Sequence, residues 1–382
     1  MVYGVCTAKG KRMAVVGQAA NDSLSMTGNY NGALCPGAVS HIHRSVGAGC
    51  WPSIGQALQA ANSGGTTTVV GAVEAGLSWL MNVSAAVAAV RAADLTVLVV
   101  DNFKDGGGEG RDRGAIGLSA SQITLATAVL AAATPSSSVV LVTLSGGLIS
   151  LDGLKESAPA ILSAGMPGVH GGTAIAATLF GDSNPGGKLP TTMYHSNYTM
   201  EVDFMNMSMV NGAGRSYKYY TGTPLFPFAY GLSYTEFDVK WATPPPAFAI
   251  VGSVATAPTN YSVLVKNLGA VAGDEVVLAF TVPKAHTLRP SLGTSVPIEK
   301  KRLFGFQRVS LDAGASATLR FELAPAHLAM VDEDGHTGLH SGEFEVVFTR
   351  GHGHELAARA AVRLEEGAGG ERARLKTFRK WW

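Results

Sequence analysis

The chain is poor in charge, in cysteine and in long apolar runs, and each shortage removes a class of function. Charged residues make up 15% of its 382 residues and the formal net charge is +1. Without a basic excess there is nothing to draw it to nucleic-acid phosphates or to an anionic membrane surface, so neither is expected as a partner. Apolar stretches are broken by Gly, Ser and Asp before they reach the ~20 residues that span a bilayer. The opening MVYGVCTAKGKRMAVVG has too short an apolar stretch for a signal peptide and runs almost at once into an expected strand. Three cysteines, Cys6, Cys35 and Cys50, allow one disulfide with one thiol left over, and none has the CxxC or His-paired spacing of a metal site. No metal or cofactor is expected.

The length suggests two domains. Five of the twelve asparagines, Asn21, Asn82, Asn197, Asn206 and Asn260, open N-x-S/T sequons, which favours a history in the secretory pathway.

The stretch DLTVLVVDNFKDGGGEGRDR, residues 94–113, stands out. Leu95 to Val100 reads as a strand buried on both faces, because Leu and β-branched residues follow one another with no polar alternation. In open α/β sheets ligands sit beyond the carboxyl ends of the strands, which is where Gly106, Gly107 and Gly108 and then Glu109, Asp112 and Arg113 fall. Three readings compete. A phosphate loop leads with backbone N–H groups and a helix N-terminus, whereas this one presents Asp105, Glu109 and Asp112. A carboxyl group presented for proton transfer, with Arg113 orienting it or a substrate hydroxyl, is the second reading. A solvated charged turn is the third.

Residues 12–200 alternate short apolar strands with small-residue helices, the pattern of a layered α/β domain. Strands are expected at Met13 to Val16, Thr67 to Val70, Leu95 to Val100, Ser138 to Leu144 and Ala160 to Leu162. Ser84 is expected to cap one helix, and Ser119 with Gln122 forms an S-x-x-Q capping box ahead of another. A further helix is expected from Gly172 to Phe180, stopped by Gly181 and kept from resuming by Pro185. Helical crossovers make the sheet mostly parallel. Aromatic, Pro and Gly residues punctuate Tyr194 to about Lys240, and Pro244, Pro245 and Pro246 mark a boundary. Beyond it YSVLVKN, EVVLAFTV, KRLFGFQRVSL, SATLRFEL and GEFEVVFTR read as strands of an antiparallel β-sandwich. The expected plan is a three-layer α/β sandwich over 1–200, a connector over 201–246, a β-sandwich over 247–362 and a disordered basic tail over 363–382.

These motifs together resemble glycoside hydrolase family 3, in its plant and fungal β-xylosidase and arabinofuranosidase branch. KRMAVVGQAANDSLSMTGNYNG resembles the opening of that family's second domain and EGRDR its E-G-x-D-R acid loop. AILSAGMPGVHGGTAIAATLFGDSNPGGKLPTTMY is similar to its glycine-rich signature, as is GRSYKYYTGTPLFPFAYGLSYTEF to a later one. VKNLGAVAGDEVVLAF and MVDEDGHTGLHSGEFEV resemble its fibronectin type III-like domain.

The resemblance implies a retaining exo-glycosidase acting on xylo-oligosaccharides or related β-glycosides, with two carboxylates ~5 to 5.5 Å apart. In the family the nucleophile is an aspartate on a preceding (β/α)8 barrel, and no stretch of this chain offers the ~200 to 250 residues such a barrel needs. This chain would supply the acid/base, Glu109 by the EGRDR register, with Asp112 and Arg113 fixing the loop and contacting sugar. Cys35 and Cys50 fall where plant relatives carry cysteines and become the disulfide candidates. His170 is expected as a surface residue, Lys188 as a solvated one, and Tyr217, Tyr219 and Tyr220 as anchors of the connector. The chain on its own is expected to be inactive and extracellular or in the secretory pathway. The alternative is a barrel-less remnant serving as a carbohydrate-binding or structural module.

Overall fold

The structure is a computed structural model that describes residues 8–28, 51–71, 73–75, 78–80, 82–102, 113–134, 137–246, 249–251, 258–293, 295–364 and 373–374. The chain divides into two compact units, one of residues 1–185 and 193–200 and one of residues 186–192 and 201–382.

The strands of the first unit are β1 (Arg12–Val16), β2 (Thr66–Val70), a short hairpin of β3 (Val73–Ala75) and β4 (Ser78–Leu80), β5 (Leu95–Asp101), β6 (Ser138–Leu144) and β7 (Ala160–Gly165). Its helices are α1 (Ile54–Ala61), α2 (Val83–Arg91), α3 (Ala120–Ala132) and α4 (Gly171–Leu179). A parallel sheet runs β2-β1-β5-β6-β7. All seven residues of the central β5 are buried, as an unbroken apolar run requires of a strand covered on both faces. Successive side chains point to opposite faces. Val97, Val99, Val140 and Val142 pack with Ile54 of α1 and Ile175 and Leu179 of α4. On the other face α2 and α3 pack together and against β1 and β5. The three layers are thus helices, sheet and helices.

Two caps differ from expectation. Asn82, not Ser84, caps α2: its Oδ1 accepts from the Ala85 N–H at 2.9 Å, two residues earlier than the Ala-rich pattern suggests. Ser119 sits at the N-cap of α3 without a side-chain cap bond, because Gln122 is buried and turned to β5 instead of closing a capping box. The capping box is in α1, where Ser53 and Gln56 exchange bonds of 3.2 and 2.9 Å. Gly172 lets α4 lie close on α1, since a Cβ there would come within 3.0 Å of the Ser53 carbonyl and 3.1 Å of the Ala57 side chain.

After two short helices, α5 (Tyr198–Glu201) and α6 (Ser216–Tyr219), come β8 (Phe237–Trp241), β9 (Ala249–Val251), β10 (Thr259–Asn267) and β11 (Gly273–Pro283). Then follow α7 (Ala285–Leu292), β12 (Arg302–Leu311), β13 (Ser316–Leu323), β14 (Met330–Val331), β15 (Thr337–Leu339), β16 (Gly342–Thr349), β17 (Leu356–Val362) and β18 (Ala373–Arg374). Sheets ordered β13-β10-β8 and β12-β11-β16-β17-β9 enclose a core of Val263, Val265, Phe321, Phe344, Val346 and Phe348. Pairing is antiparallel except between β17 and β9. β8 lies ahead of the three prolines and pairs with β10, so the sandwich strands begin before that run.

Lys188 is not solvated. Its Nζ lies 2.7 Å from Glu275 Oε1 and donates to the Gly231 carbonyl at 3.0 Å, with 10% of the side chain exposed. Arg350 Nη1 holds the other oxygen of the buried Glu275 at 3.1 Å. Burial pulls the Lys188 ammonium below its usual range against the opposing pull of Glu275. The expected anchors behave as such: Tyr217 stacks on Phe228 at 4.4 Å between centroids and Tyr220 is buried.

Candidate active-site half

The carboxyl end of β5 is fixed by a side chain that imitates a strand. Gln122, in the first turn of α3, donates from Nε2 to the Asp101 carbonyl at 2.6 Å and accepts from the Asp101 N–H at 2.9 Å. These two bonds satisfy a buried main-chain pair where the sheet ladder ends. Asn102 adds a third tie, its N–H donating to the Leu144 carbonyl at 3.2 Å. Asp105, Glu109 and Asp112 lie outside the described residues, as do Cys6, Cys35 and Cys50.

The described chain resumes at Arg113, half-buried, and its guanidinium serves main-chain carbonyls. Nη2 donates to Gly117 at 2.6 Å and Nη1 to Leu148 at 3.5 Å. Ser150 N–H donates to the Ile116 carbonyl at 2.7 Å, and a Cβ on Gly117 would lie 3.6 Å from that of Ser196. Residues 113–117, following the β5 end, are thereby tied to the loop after β6 and lie beside Ser196.

That third segment carries a cluster the sequence did not announce. Ser196 donates its N–H and its hydroxyl to Asp152 Oδ2, each at 2.6 Å, and His195 Nδ1 lies 2.6 Å from Oδ1. Burial opposes charge on Asp152, but the Ser196 hydroxyl and amide and the His195 imidazole outweigh it and hold the carboxyl at about 2. The residue types are those of a hydrolytic triad, yet the hydroxyl gives its proton to the carboxylate and not to the imidazole. A nucleophilic serine needs the reverse order. Asp152 is an anchor for residues 195–196, and with 43 residues separating it from His195 no local pattern signals the pair.

Other polar groupings have structural work. In the second unit a cavity of about 360 Å³ is lined by Tyr219, Glu299, Arg302 and Asp332 among others. Its buried Glu299 is ion-paired with Arg302 and, at 3.3 Å, with Lys218. Asp332, Asp334 and His336 bring potential ligand atoms within 4.8 Å of one another. Asp332 Oδ1 accepts the main-chain N–H groups of Asp334 and His336 at 3.0 and 2.9 Å, which accounts for the cluster as the turn between β14 and β15. All five sequon asparagines are exposed, and His170 is exposed at the N-cap of α4. Among the described residues no helix is long and apolar enough to cross a membrane.

Residues 7–234 match the family model described as Glycosyl hydrolase family 3 C-terminal domain, and residues 275–350 match that of a Fibronectin type III-like domain. Beta-D-xylosidase 1 of Arabidopsis thaliana is 33% identical over 372 residues, covering 88% of this chain and 44% of its own length. A probable exo-1,4-beta-xylosidase of Aspergillus japonicus is 29% identical over 363 residues, covering 88% and 42%. Among solved structures, an exo-beta-xylosidase in complex with a xylobiose aziridine probe superposes with a TM-score of 0.77 at 23% identity, over 98% of this chain and 47% of that one. A beta-glucosidase from Listeria innocua in complex with isofagomine does so with 0.73 at 24% identity, over 93% and 46%. At those identities the likeness is one of fold. The chain spans less than half the length of these curated relatives.

Proposed function

The chain belongs to glycoside hydrolase family 3, and on that premise we propose that it is the acid/base-bearing part of a retaining exo-β-glycosidase that removes terminal sugars from xylan-type oligosaccharides. One observation carries this reading. The E-G-x-D-R stretch joins the carboxyl end of the central parallel strand, clamped at Asp101 by Gln122, to Arg113, whose guanidinium ties the returning chain to Gly117. That end of an open parallel sheet is the ligand side.

In this reading Glu109 protonates the leaving oxygen and later takes a proton from water, while an aspartate on the family's preceding barrel attacks the anomeric carbon from ~5 to 5.5 Å away. Asp112 and Arg113 hold the loop first and contact the sugar second. A xylose-type substrate is favoured because the relatives are β-xylosidases. The five exposed sequons support N-glycosylation and a place outside the cell or in the secretory pathway. A shift in mobility on enzymatic deglycosylation of protein from a secretory host tests that point.

The chain alone carries one of the two carboxylate roles and is predicted to be inactive. Purified, it should hydrolyse an aryl β-xyloside no faster than its Glu109→Gln variant. Turnover clearly above that variant would overturn the division of labour.

A further inference from the structure

In the second unit the cavity of about 360 Å³ has the size of a small-molecule site, for which ~300 to 1,000 Å³ is usual. Three stretches far apart in sequence form its wall. They are the end of α6 with Tyr219, the loop from Ser295 into β12 with Val296, Glu299 and Arg302, and β14 with the turn after it, from Met330 to Glu333.

The wall is braced from several sides. Ser216 opens α6 at φ +58°, a left-handed conformation costly to a residue with a Cβ. The Lys300 N–H and Nζ donate to the carbonyls of Lys218 and Tyr220 at 2.7 and 2.9 Å, which fastens α6 to the loop. Arg302 Nη1 donates to the Ala329 carbonyl at 2.5 Å, which fastens β12 to the residue ahead of β14. At the exposed rim Ser295 donates its hydroxyl to Glu333, and Gly293 leaves that carboxylate room, since a Cβ there would strike it.

The lining is polar, buried and already balanced in charge. The Glu299 side chain is 3% exposed and that of Asp332 5%. Arg302 and Lys218 face Glu299, and Asp332 Oδ1 accepts two main-chain N–H groups. A further cation is therefore not called for, and an anion would meet the carboxylates of Glu299, Asp332 and Glu333. Capacity for hydrogen bonds remains. For its five N–H donors Arg302 has two partners among the described residues, Ala329 and Glu299. The Tyr219 hydroxyl has none among them. Burial, and then the charge of Glu299, push the Tyr219 phenol up, so at neutral pH it both donates and accepts. Val296 and Met330, both buried, set an apolar surface beside these groups. Donors and acceptors on balanced charge, next to apolar side chains, match a neutral ligand whose hydroxyls donate and accept and whose ring carbons are apolar.

We propose that this cavity is a non-catalytic carbohydrate site that takes one neutral pyranose, with Arg302 and Glu299 spanning neighbouring hydroxyls and Tyr219 bonding a third. The ring is common to a free monosaccharide and to the end of an oligosaccharide. The site lies in the unit that does not carry Glu109, and it needs no hydrolysis.

The test titrates the full 382-residue chain with xylose, xylobiose, putrescine and inorganic phosphate, followed by calorimetry and amide hydrogen exchange. Sugar should bind saturably and protect the amides of residues 298–302 and 330–333. Val331 is 47% exposed on β14, so Val331→Trp fills the cavity without entering the core. That variant should weaken binding about tenfold or more, and Tyr219→Phe, which removes only the hydroxyl, about two- to tenfold, the worth of one hydrogen bond. Equal affinity for xylose and xylobiose identifies the free sugar as the ligand, and much tighter binding of xylobiose identifies the chain end. Absence of saturable sugar binding, binding that Val331→Trp leaves intact, or a preference for putrescine or phosphate would each overturn the proposal. Glu109→Gln should bind sugar here as the parent does. A failed titration thus leaves Glu109 as the acid/base untouched, and a failed hydrolysis assay leaves this site standing.

Discussion

Gln122 shows how one side chain sets the geometry of a loop it never enters. Replacing it with Ala strands the buried N–H and carbonyl of Asp101, at a cost of about 1 to 3 kcal/mol. Denaturant titration of Gln122→Ala should register that loss; a change below a few tenths of a kcal/mol would mean that the clamp is dispensable. Asp152 supplies a pH-dependent contribution of known sign. Its carboxyl is held at about 2, below the ordinary value of an aspartate, so the unfolded chain takes up the proton first. The stabilisation is full above pH 4 and is lost as pH falls through about 2, and because the carboxylate is about a third exposed, screening limits it to about 1 kcal/mol. Asp152→Asn should therefore be less stable than the parent at pH 6 and converge with it near pH 2. An equal gap at both would contradict the assignment. Neither residue's role was legible in sequence. S-x-x-Q fits a capping box, and nothing local reveals that Gln122 turns to a strand 21 residues earlier. Glu109 and Asp112 are the reverse case, marked out by a motif and not by surrounding geometry.

At the scale of elements the sequence is a good guide wherever burial is uniform. Leu95 to Val100 and Ser138 to Leu144 read as strands because their apolar residues follow one another without polar alternation, and both are strands, the first continuing to Asp101. The strand expected at Ala160 to Leu162 continues to Gly165, carried on by its pairing with β6. Lys188 misleads for a related reason, since NPGGKLP looks like an exposed turn and only the fold brings Glu275 to it. With Glu275 removed, the largely buried Lys188 and Arg350 lose their shared carboxylate. Glu275→Ala should lower stability by about 3 to 5 kcal/mol, the range for breaking a buried pair from one side. Lys188→Met, which removes a charge and keeps the stem, should cost less. The comparison is made by equilibrium unfolding, and a smaller loss for Glu275→Ala would show that the pair is not the anchor.

For the molecule as a whole, each unit has its own hydrophobic core, and the family assignment rests on sequence running through both. The chemistry assigned to the first unit needs a second carboxylate from elsewhere, so the decisive measurement is made on this chain joined to a family barrel. Glu109→Gln in that enzyme should slow hydrolysis of substrates with poor leaving groups by ~10² to 10⁴-fold, the range for a general acid. Activated aryl glycosides should be attacked almost normally, and the glycosyl-enzyme should accumulate because no base remains to activate water. Azide, which needs no base, should restore turnover and appear in the product as a glycosyl azide. A variant within a few-fold of the parent on both substrate classes, with no azide product, would contradict the assignment of Glu109 as the acid/base.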